Sequence, residues 1–427
     1  MTAPARRLRR GDLLPRLTGA DRAASRMLAR RAARVETAGL APKLDGGSPL
    51  WLEALGANVL DVDGNRYLDL TSGFGVAVVG HRHPAVVAAV RRQSGRLVHG
   101  LGDAHGHPLR IELAAALKAV APVRDGRVGF AVSGADAVEL AVKTALLATG
   151  RSRLLAFEPA YHGLTFGALA LSSRPHFRRA FDRHLHRRVK RLAYGCAPRR
   201  LASELAGGEF AAVVVEPVVG REGILLPPPG WLVELGSLCR RHGTLLVADE
   251  ILTGGGRTGR WFAVDHDAVQ PDLLCCGKAL GGGLPIGAVI GSAAVMSAWD
   301  APGEARHTAT FVAHPLACAA ALATLRVIAD ERLVDRGARI GAELAAALSD
   351  WPSRFAQVRA VRGRGALWGI EWRSPAAAAG FSERLLRRGV LILRGGATGC
   401  VTQLLPPLVT TARQLAFALR EAAAAAE

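Results

Sequence analysis

Continuous apolar runs alternate with amphipathic stretches between residues 127 and 292, and this alternation restricts the fold more than any other feature. The apolar runs cover residues 127–133, 153–158, 211–217, 244–250, 272–277 and 286–292. Helical patterns such as ADAVELAVKTALLAT and WLVELGSLCRRHG lie between several of them. Apolar strands separated by helices are typical of a mostly parallel sheet covered by helices on both faces. The sequence therefore predicts an α/β fold.

Polar residues collect where the predicted strands end. Tyr161 and His162 follow one strand, Glu216 and Asp249 end two others, and Lys278 follows a fourth. Sheets of this class bind ligands beyond the carboxyl ends of their strands. We therefore expect these side chains to converge on one ligand site.

Lys278 lies in the apolar stretch LLCCGKALGGGLPIGA and is followed closely by three glycines. The chain has only five lysines against fifty arginines, so its surface charge comes almost entirely from arginine. Lysine differs from arginine in that it can lose its proton and attack a carbonyl. The pattern indicates a reactive lysine, and the alternative is an ordinary lysine beside a loop.

The segment VSGADAVELAVK predicts an anion site near Lys278. A strand ends at Ser133, Gly134 permits a close turn, and a helix begins near Ala135. The free amides and positive dipole end of a helix start attract anions. A plain strand-to-helix turn is the alternative. This strand-to-helix turn carries neither a G-x-G-x-x-G pattern nor a P-loop, which disfavours dinucleotide and P-loop nucleotide binding at it.

Both ends of the chain differ from the middle. Residues 50–73 are strand-like with a DGN turn signal, and the pattern beyond residue 325 is helix, short strand, helix. We predict an N-terminal arm at 1–39, a small α+β domain built from 40–75 and 325–427, and a large α/β domain at 76–324.

The net charge of +19 raises the question of nucleic acid binding. The charge is scattered, however, and neither zinc-finger spacing nor an aromatic RNA-binding pattern occurs. We expect an arginine-rich enzyme whose charge attracts anionic small molecules, with no nucleic acid partner.

Cysteine usage and hydropathy bear on the location of the protein. The six cysteines form no C-x-x-C pair and mostly have apolar neighbours, so we expect reduced core residues and no metal site. No run of eighteen apolar residues occurs, so we expect no membrane span, and the basic start lacks the apolar core of a signal peptide. The sequence predicts a cytoplasmic protein whose start is a surface arm. An organelle transit segment is the alternative for that start.

Six motifs occur in a fixed order along the chain: SGADAVELAVK, EPAYHG, VVVEPVVG, LLVADEILTGGGRTG, CCGKALGGGLPIG and HTATFVAHPLACAAA. In order and spacing they resemble the class III (ω-amino acid type) aminotransferases, which are fold type I enzymes that use pyridoxal 5′-phosphate. The resemblance extends from about residue 45 to the C-terminus.

The resemblance implies roles for the residues around the cofactor ring. Lys278 matches the lysine that forms a Schiff base with the cofactor aldehyde. Asp249 matches the carboxylate that pairs with the protonated ring nitrogen. Tyr161 matches the aromatic residue on one face of the ring, and Ile251 matches the aliphatic residue on the other.

The resemblance also implies a phosphate site that two subunits share. Gly134 and Ala135 occupy the phosphate-binding turn. Thr310 resembles the hydroxyl residue that reaches the phosphate from the second subunit. A homodimer with shared active sites is therefore expected.

Four positions depart from the family pattern, and one of them, Gly255, stands where an aromatic residue is usual and is expected to widen the site locally. Leu252 stands where a glutamine often touches the ring hydroxyl of the cofactor, and Gln403 stands where many members have a carboxylate-binding arginine. Arg221 replaces a glutamate that can mask that arginine. We expect Arg221 to bind the substrate carboxylate. A solvated loop arginine is the alternative.

The resemblance implies transfer of an amino group from an amine or amino acid, with a carboxylate expected on it, to a 2-oxo acid. Amino-acid racemases, epimerases and aminomutases of the same family share these cofactor residues and are the alternative. A scaffold without activity is disfavoured because Lys278 and Asp249 are both present.

Overall fold

The structure is a computed structural model that describes residues 8, 13–19, 22–40, 48–100, 102 and 104–427. Across these residues, no helix is both long and apolar enough to cross a bilayer. The predicted arm, residues 1–39, lies partly outside the described residues.

The N-terminal part of the chain forms three short antiparallel strands and the helices around them. Their bounds are α1 Ala23–Val35, β1 Trp51–Leu55, β2 Asn58–Asp61, β3 Arg66–Asp69, α2 Ser72–Gly75, α3 Pro84–Ser94 and α4 Pro108–Val120. Helix α2 is a single turn in which Gly73 and Phe74 have left-handed backbone angles. This turn brings Phe74 to the cavity described below.

The middle of the chain supplies the strands of the large sheet. They are β4 Gly126–Ala131, β5 Arg153–Glu158, β6 Val189–Ala193, β7 Phe210–Val215, β8 Leu245–Asp249, β9 Leu273–Cys276 and β10 Gly287–Ser292. The helices are α5 Gly134–Thr149, α6 Phe166–Leu171, α7 Pro175–Arg178, α8 Pro198–Leu205, α9 Trp231–Arg241, α10 Ala293–Met296 and α11 Pro315–Asp330. Short 3-10 turns cover Asp182–His184, Ala263–His266, Lys278–Gly281 and Ser297–Trp299.

The seven strands are ordered β4-β10-β9-β8-β7-β5-β6, and only β10 runs antiparallel to its neighbours. Apolar clusters of buried side chains pack on the sheet and include residues of α5 in one cluster and of α9 and α11 in another. The mostly parallel α/β sheet predicted from the sequence is thereby confirmed. Strand β6 was missed because it overlaps the basic run HLHRRVKR at 184–191 and lies at the sheet edge, where continuous apolar residues are not required.

The C-terminal part of the chain begins after α11. Its elements are α12 Leu333–Leu348, α13 Trp351–Arg354, β11 Val358–Arg364, β12 Leu367–Trp372, α14 Pro375–Arg387, β13 Val390–Leu391, β14 Leu393–Gly395, β15 Val401–Leu404 and α15 Ala412–Ala426. Strand β13 pairs with β3, so the two chain ends share the sheet β1-β2-β3-β13, and β11, β12, β15 and β14 form another. The smaller α+β part built from both ends is confirmed, and its numerical bounds stay a prediction.

The described part of the arm packs on this smaller part. Arg16 pairs with Arg66 through two backbone hydrogen bonds of 2.9 and 2.8 Å. The amide of Ala24, at the start of α1, donates to Asp63 Oδ1 at 3.0 Å. The acceptor satisfies a free amide of the helix start, which fixes α1 against the β2–β3 turn.

Candidate active site

A cavity of about 530 Å³ opens beyond the carboxyl ends of the parallel strands. Its volume lies within the usual range of small-molecule sites. Seven of the eight residues assigned from the sequence line it: Gly134, Ala135, Tyr161, Arg221, Asp249, Ile251 and Lys278. The convergence expected from the strand ends is therefore observed.

Lys278 begins the 3-10 turn directly after β9, and its backbone φ of 38° lies in the left-handed region. Such an angle is costly for a residue with a side chain and is found mainly at functional sites. Burial lowers the pKa of the Lys278 amine to about 8, against the opposing charges of Asp249 and Glu216. Near neutral pH, a much larger fraction of this amine is uncharged and nucleophilic than in an ordinary lysine.

Asp249 ends β8 with 5% of its surface exposed. Its Oδ2 lies 2.7 Å from His162 Nδ1, and its Oδ1 accepts the amide of Ile251 at 3.1 Å. Each carboxylate oxygen can accept a further hydrogen bond. The carboxylate can therefore hold a positively charged ring nitrogen in the cavity while its orientation stays fixed.

His162 is a site residue to which the sequence assigned no role. Burial alone would lower its pKa, but the hydrogen bond and charge of Asp249, with the charge of Glu216, raise the pKa overall. Its Nε2 has no hydrogen-bond partner among the described residues. The only signal in the sequence was its place beside Tyr161 after β5.

Glu216, just beyond β7, fixes the loop that forms one wall of the cavity. Its Oε1 accepts the amide of Tyr161 at 2.8 Å, and its Oε2 accepts the amide of Gly220 at 3.0 Å. Burial raises the pKa of Glu216 to about 7. Its carboxyl group thus joins Tyr161 to the loop that carries Arg221.

The predicted anion site is the start of α5. Ser133 caps the helix by accepting the amide of Asp136 at 3.2 Å, while Gly134 and Ala135 begin the helix at the cavity wall. A Cβ on Gly134 would lie 2.9 Å from Ile251 Cγ2, so glycine permits this close approach. The helix start leaves backbone amides for an anion at this end of the cavity.

The Arg221 guanidinium is surrounded by aromatic rings. Its Cζ lies 4.6 Å from the ring centroid of Tyr161, 5.2 Å from that of Phe177 and 5.4 Å from that of Phe74. Lys278 Nζ lies 5.9 Å from the same Phe74 centroid. No carboxylate of the described residues forms an ion pair with Arg221. Phe74 and Phe177 were missed because nothing local in the sequence relates them to Arg221.

Thr310 is the assigned residue that does not line this cavity. It is exposed, and its carbonyl faces Gly102, where a Cβ would lie 3.4 Å from the Thr310 oxygen. A role in the site of the same chain is therefore not supported by its position.

Two further departures from the family pattern, Leu252 and Gln403, have different surroundings. Leu252 lines the cavity and packs into a cluster with Val218, Ile224, Leu367 and Leu405. Gln403 lies behind the wall, where its Nε2 donates to the carbonyl of Gly220 at 3.0 Å. Leu252 thus supplies part of the apolar wall of the cavity, and Gln403 supports the loop that carries Arg221.

Comparison with known proteins identifies the family. Residues 49–425 match the family model described as Aminotransferase class-III. The chain belongs to the class-III aminotransferase family. An acetylornithine aminotransferase from Methanopyrus kandleri is 40% identical over 373 residues, which cover 86% of this chain and 92% of the relative. A putrescine aminotransferase from Pectobacterium atrosepticum is 38% identical over 392 residues, covering 88% and 82%.

A solved aminotransferase structure has the same fold as this chain. The ornithine aminotransferase from Toxoplasma gondii, described with PLP at its active site, superposes with a TM-score of 0.86 at 31% identity and covers 93% of each chain. This class-III aminotransferase is thus a fold type I enzyme that uses pyridoxal 5′-phosphate to transfer amino groups. The named relatives do not favour the racemase, epimerase or aminomutase alternative.

The residues of the cavity fit the cofactor. Free amides at the start of α5 match a phosphate, Asp249 matches a protonated ring nitrogen, and the amine of Lys278 matches an aldehyde. These three groups line one cavity.

Proposed function

We propose that this aminotransferase moves the amino group of a carboxylate-bearing amine or amino acid to a 2-oxo acid, and that Arg221 binds the donor carboxylate. The observation that carries the proposal is a guanidinium that lines the cavity without an ion-pair partner among the described residues. Guanidinium binds carboxylate through two parallel hydrogen bonds, and the surrounding rings limit its hydration. Acetylornithine, the substrate named for one relative, carries a carboxylate.

The cofactor residues have separate tasks in this proposal. When bound, the cofactor supplies an electron sink for the bonds of the substrate carbon. Asp249 would keep the ring nitrogen protonated, and Tyr161 and Ile251 would hold the ring in place. Gly134 and Ala135 present the phosphate site, and Lys278 holds the cofactor and then moves the proton at the substrate carbon.

A homodimer with shared active sites is part of the proposal. Thr310 is exposed away from the cavity of its own chain, and the neighbouring Phe311 exposes 62% of its surface. A large exposed apolar side chain beside a hydroxyl residue suits a contact with a second copy. Thr310 would then reach the phosphate of the neighbouring subunit.

A cytoplasmic location completes the proposal. All six cysteines are unpaired, and four of them are buried. Reduced thiols suit a compartment that keeps cysteine reduced.

The test compares matched donors with and without a carboxylate, 5-aminopentanoate and pentylamine, with pyruvate as acceptor. Arg221→Ala should lower kcat/KM for 5-aminopentanoate roughly tenfold to a hundredfold more than for pentylamine, because a charge-assisted pair is lost only with the carboxylate-bearing donor. Equal losses for the two donors would leave Arg221 a structural residue. Loss of optical activity from a chiral α-amino acid, incubated with the enzyme and no oxo acid, would favour racemisation.

A further inference from the structure

Gln403, in β15, contacts the Arg221 loop from behind the cavity wall. Its Nε2 donates to the carbonyls of Gly220 at 3.0 Å and Arg221 at 3.4 Å, and the side chain is 3% exposed. We propose that Gln403 is a positioning residue that fixes the backbone of Arg221 and thereby sets where the substrate carboxylate binds. This inference rests on the proposed role of Arg221.

The residue that follows the neighbouring strand β14 supports the same carbonyl. The amide of Gly396 donates to the Arg221 oxygen at 3.0 Å. A Cβ on Gly395 would lie 2.8 Å from that oxygen, so only glycine lets these two segments of the chain approach so closely. The Arg221 carbonyl is therefore held by two donors from the C-terminal part of the chain.

The residue after Arg221 has a cationic partner of its own. Glu222 is buried and accepts Arg174 Nη2 at 2.9 Å, and the same Nη2 donates to the carbonyl of Gly396 at 3.1 Å. Arg174, not Arg221, thus neutralises the nearest carboxylate in the sequence. The positive charge of Arg221 remains available to a ligand.

The Arg221 guanidinium is therefore held at a defined place relative to Lys278. The backbone of Arg221 is fixed by Gln403 and Gly396. Its side chain is enclosed by Phe74, Tyr161 and Phe177. A group ordered before binding loses less conformational entropy when the ligand arrives. Gln403 therefore strengthens carboxylate binding without touching the carboxylate.

The experiment measures binding of glutarate to the holoenzyme by isothermal titration calorimetry, with the uncharged glutaramide as its control ligand. Gln403→Leu should weaken glutarate binding roughly fivefold to tenfold, because buried hydrogen bonds to the Arg221 loop are lost, and should leave glutaramide unchanged. Arg221→Ala should weaken glutarate binding further. The double variant should bind glutarate no more weakly than Arg221→Ala, because Gln403 acts through Arg221.

Gln414 supplies a matched control. It is also 3% exposed and donates through Nε2 to the carbonyl of Leu13 and to Asn58 Oδ1, far from Arg221 in the sequence. Gln414→Leu should lower the melting temperature while glutarate binding stays unchanged. If Gln403→Leu does not fold, Gln403→Met keeps an unbranched side chain without the donor and tests the same contact.

The outcomes separate the two proposals. If Arg221→Ala binds glutarate as wild type does, the proposed role of Arg221 fails and the positioning role fails with it. If Arg221→Ala loses glutarate but Gln403→Leu does not, only the positioning role fails. A further loss from Gln403→Leu in the Arg221→Ala background would also overturn it.

Discussion

His162 Nδ1 lies 2.7 Å from Asp249 Oδ2, and both side chains are buried in the wall of the cofactor cavity. An ionised carboxylate can only accept hydrogen bonds, so in a hydrogen bond to it the proton belongs to the imidazole. The carboxylate therefore has one oxygen fixed by the imidazole and one fixed by the amide of Ile251. Its orientation toward the cavity does not depend on a ligand.

Removing the imidazole should weaken cofactor binding. His162→Leu leaves a buried carboxylate oxygen without its donor, at a cost of roughly 1–3 kcal/mol, or about fivefold to 150-fold in the dissociation constant of pyridoxal phosphate. His162→Asn can keep a donor near the position of Nδ1 and should retain most of the affinity. Fluorescence titration of the cofactor-free protein measures both variants. Equal affinity in wild type and His162→Leu would contradict a role in orienting Asp249.

The lowered pKa of Lys278 predicts a pH dependence. Only the neutral amine attacks the cofactor aldehyde, and the neutral fraction rises as pH increases through the pKa. The rate of cofactor capture by the cofactor-free protein should therefore rise through pH about 8, not through the ordinary value of 10.5. Stopped-flow absorbance between pH 6 and pH 10 (roughly spanning that pKa) records it.

Arg221 offers a control for that profile, because its charge is one of the causes that lower the Lys278 pKa. Arg221→Leu should move the rise to higher pH. Lys278→Arg should show no capture at all. A wild-type rise centred near the ordinary lysine value would refute the assignment.

Asp249→Asn should retain the cofactor phosphate site but lose most turnover. An amide cannot stabilise a protonated ring nitrogen, and loss of one partner of a buried charge pair costs roughly 3–5 kcal/mol. Activity should fall about a hundredfold or more. The measurement is kcat for a fixed donor together with cofactor content by absorbance. Wild-type kcat at full cofactor content would count against the pairing.

Mixed dimers test the shared site. Subunits with Lys278→Ala and subunits with Thr310→Ala should each be impaired. A dimer that contains one of each would have one site with both original residues and should recover activity. Measurement after verified subunit exchange decides the matter, and no recovery would show that Thr310 does not serve the neighbouring site.

The sequence by itself determined the large, mostly parallel sheet and the placement of Asp249 and Lys278 at the carboxyl ends of its strands. These features follow from local properties: continuous apolar runs, and a polar residue at the point where each run ends. Parallel strands bring such ends to one edge, so strand order was not needed to expect a common site.

Only the tertiary structure decided which side chains meet within that site. His162 and Asp249 are 87 residues apart, and Gln403 and Arg221 are 182 apart. Phe74 reaches the cavity through a left-handed turn that its local sequence does not specify. The contacts of Gln403 and Phe74 arise where the small α+β part packs against the large one, whereas His162 meets Asp249 at the strand ends of the large sheet. Periodicity reports which face of an element is buried, but it carries no information about the distant residue that the face will contact.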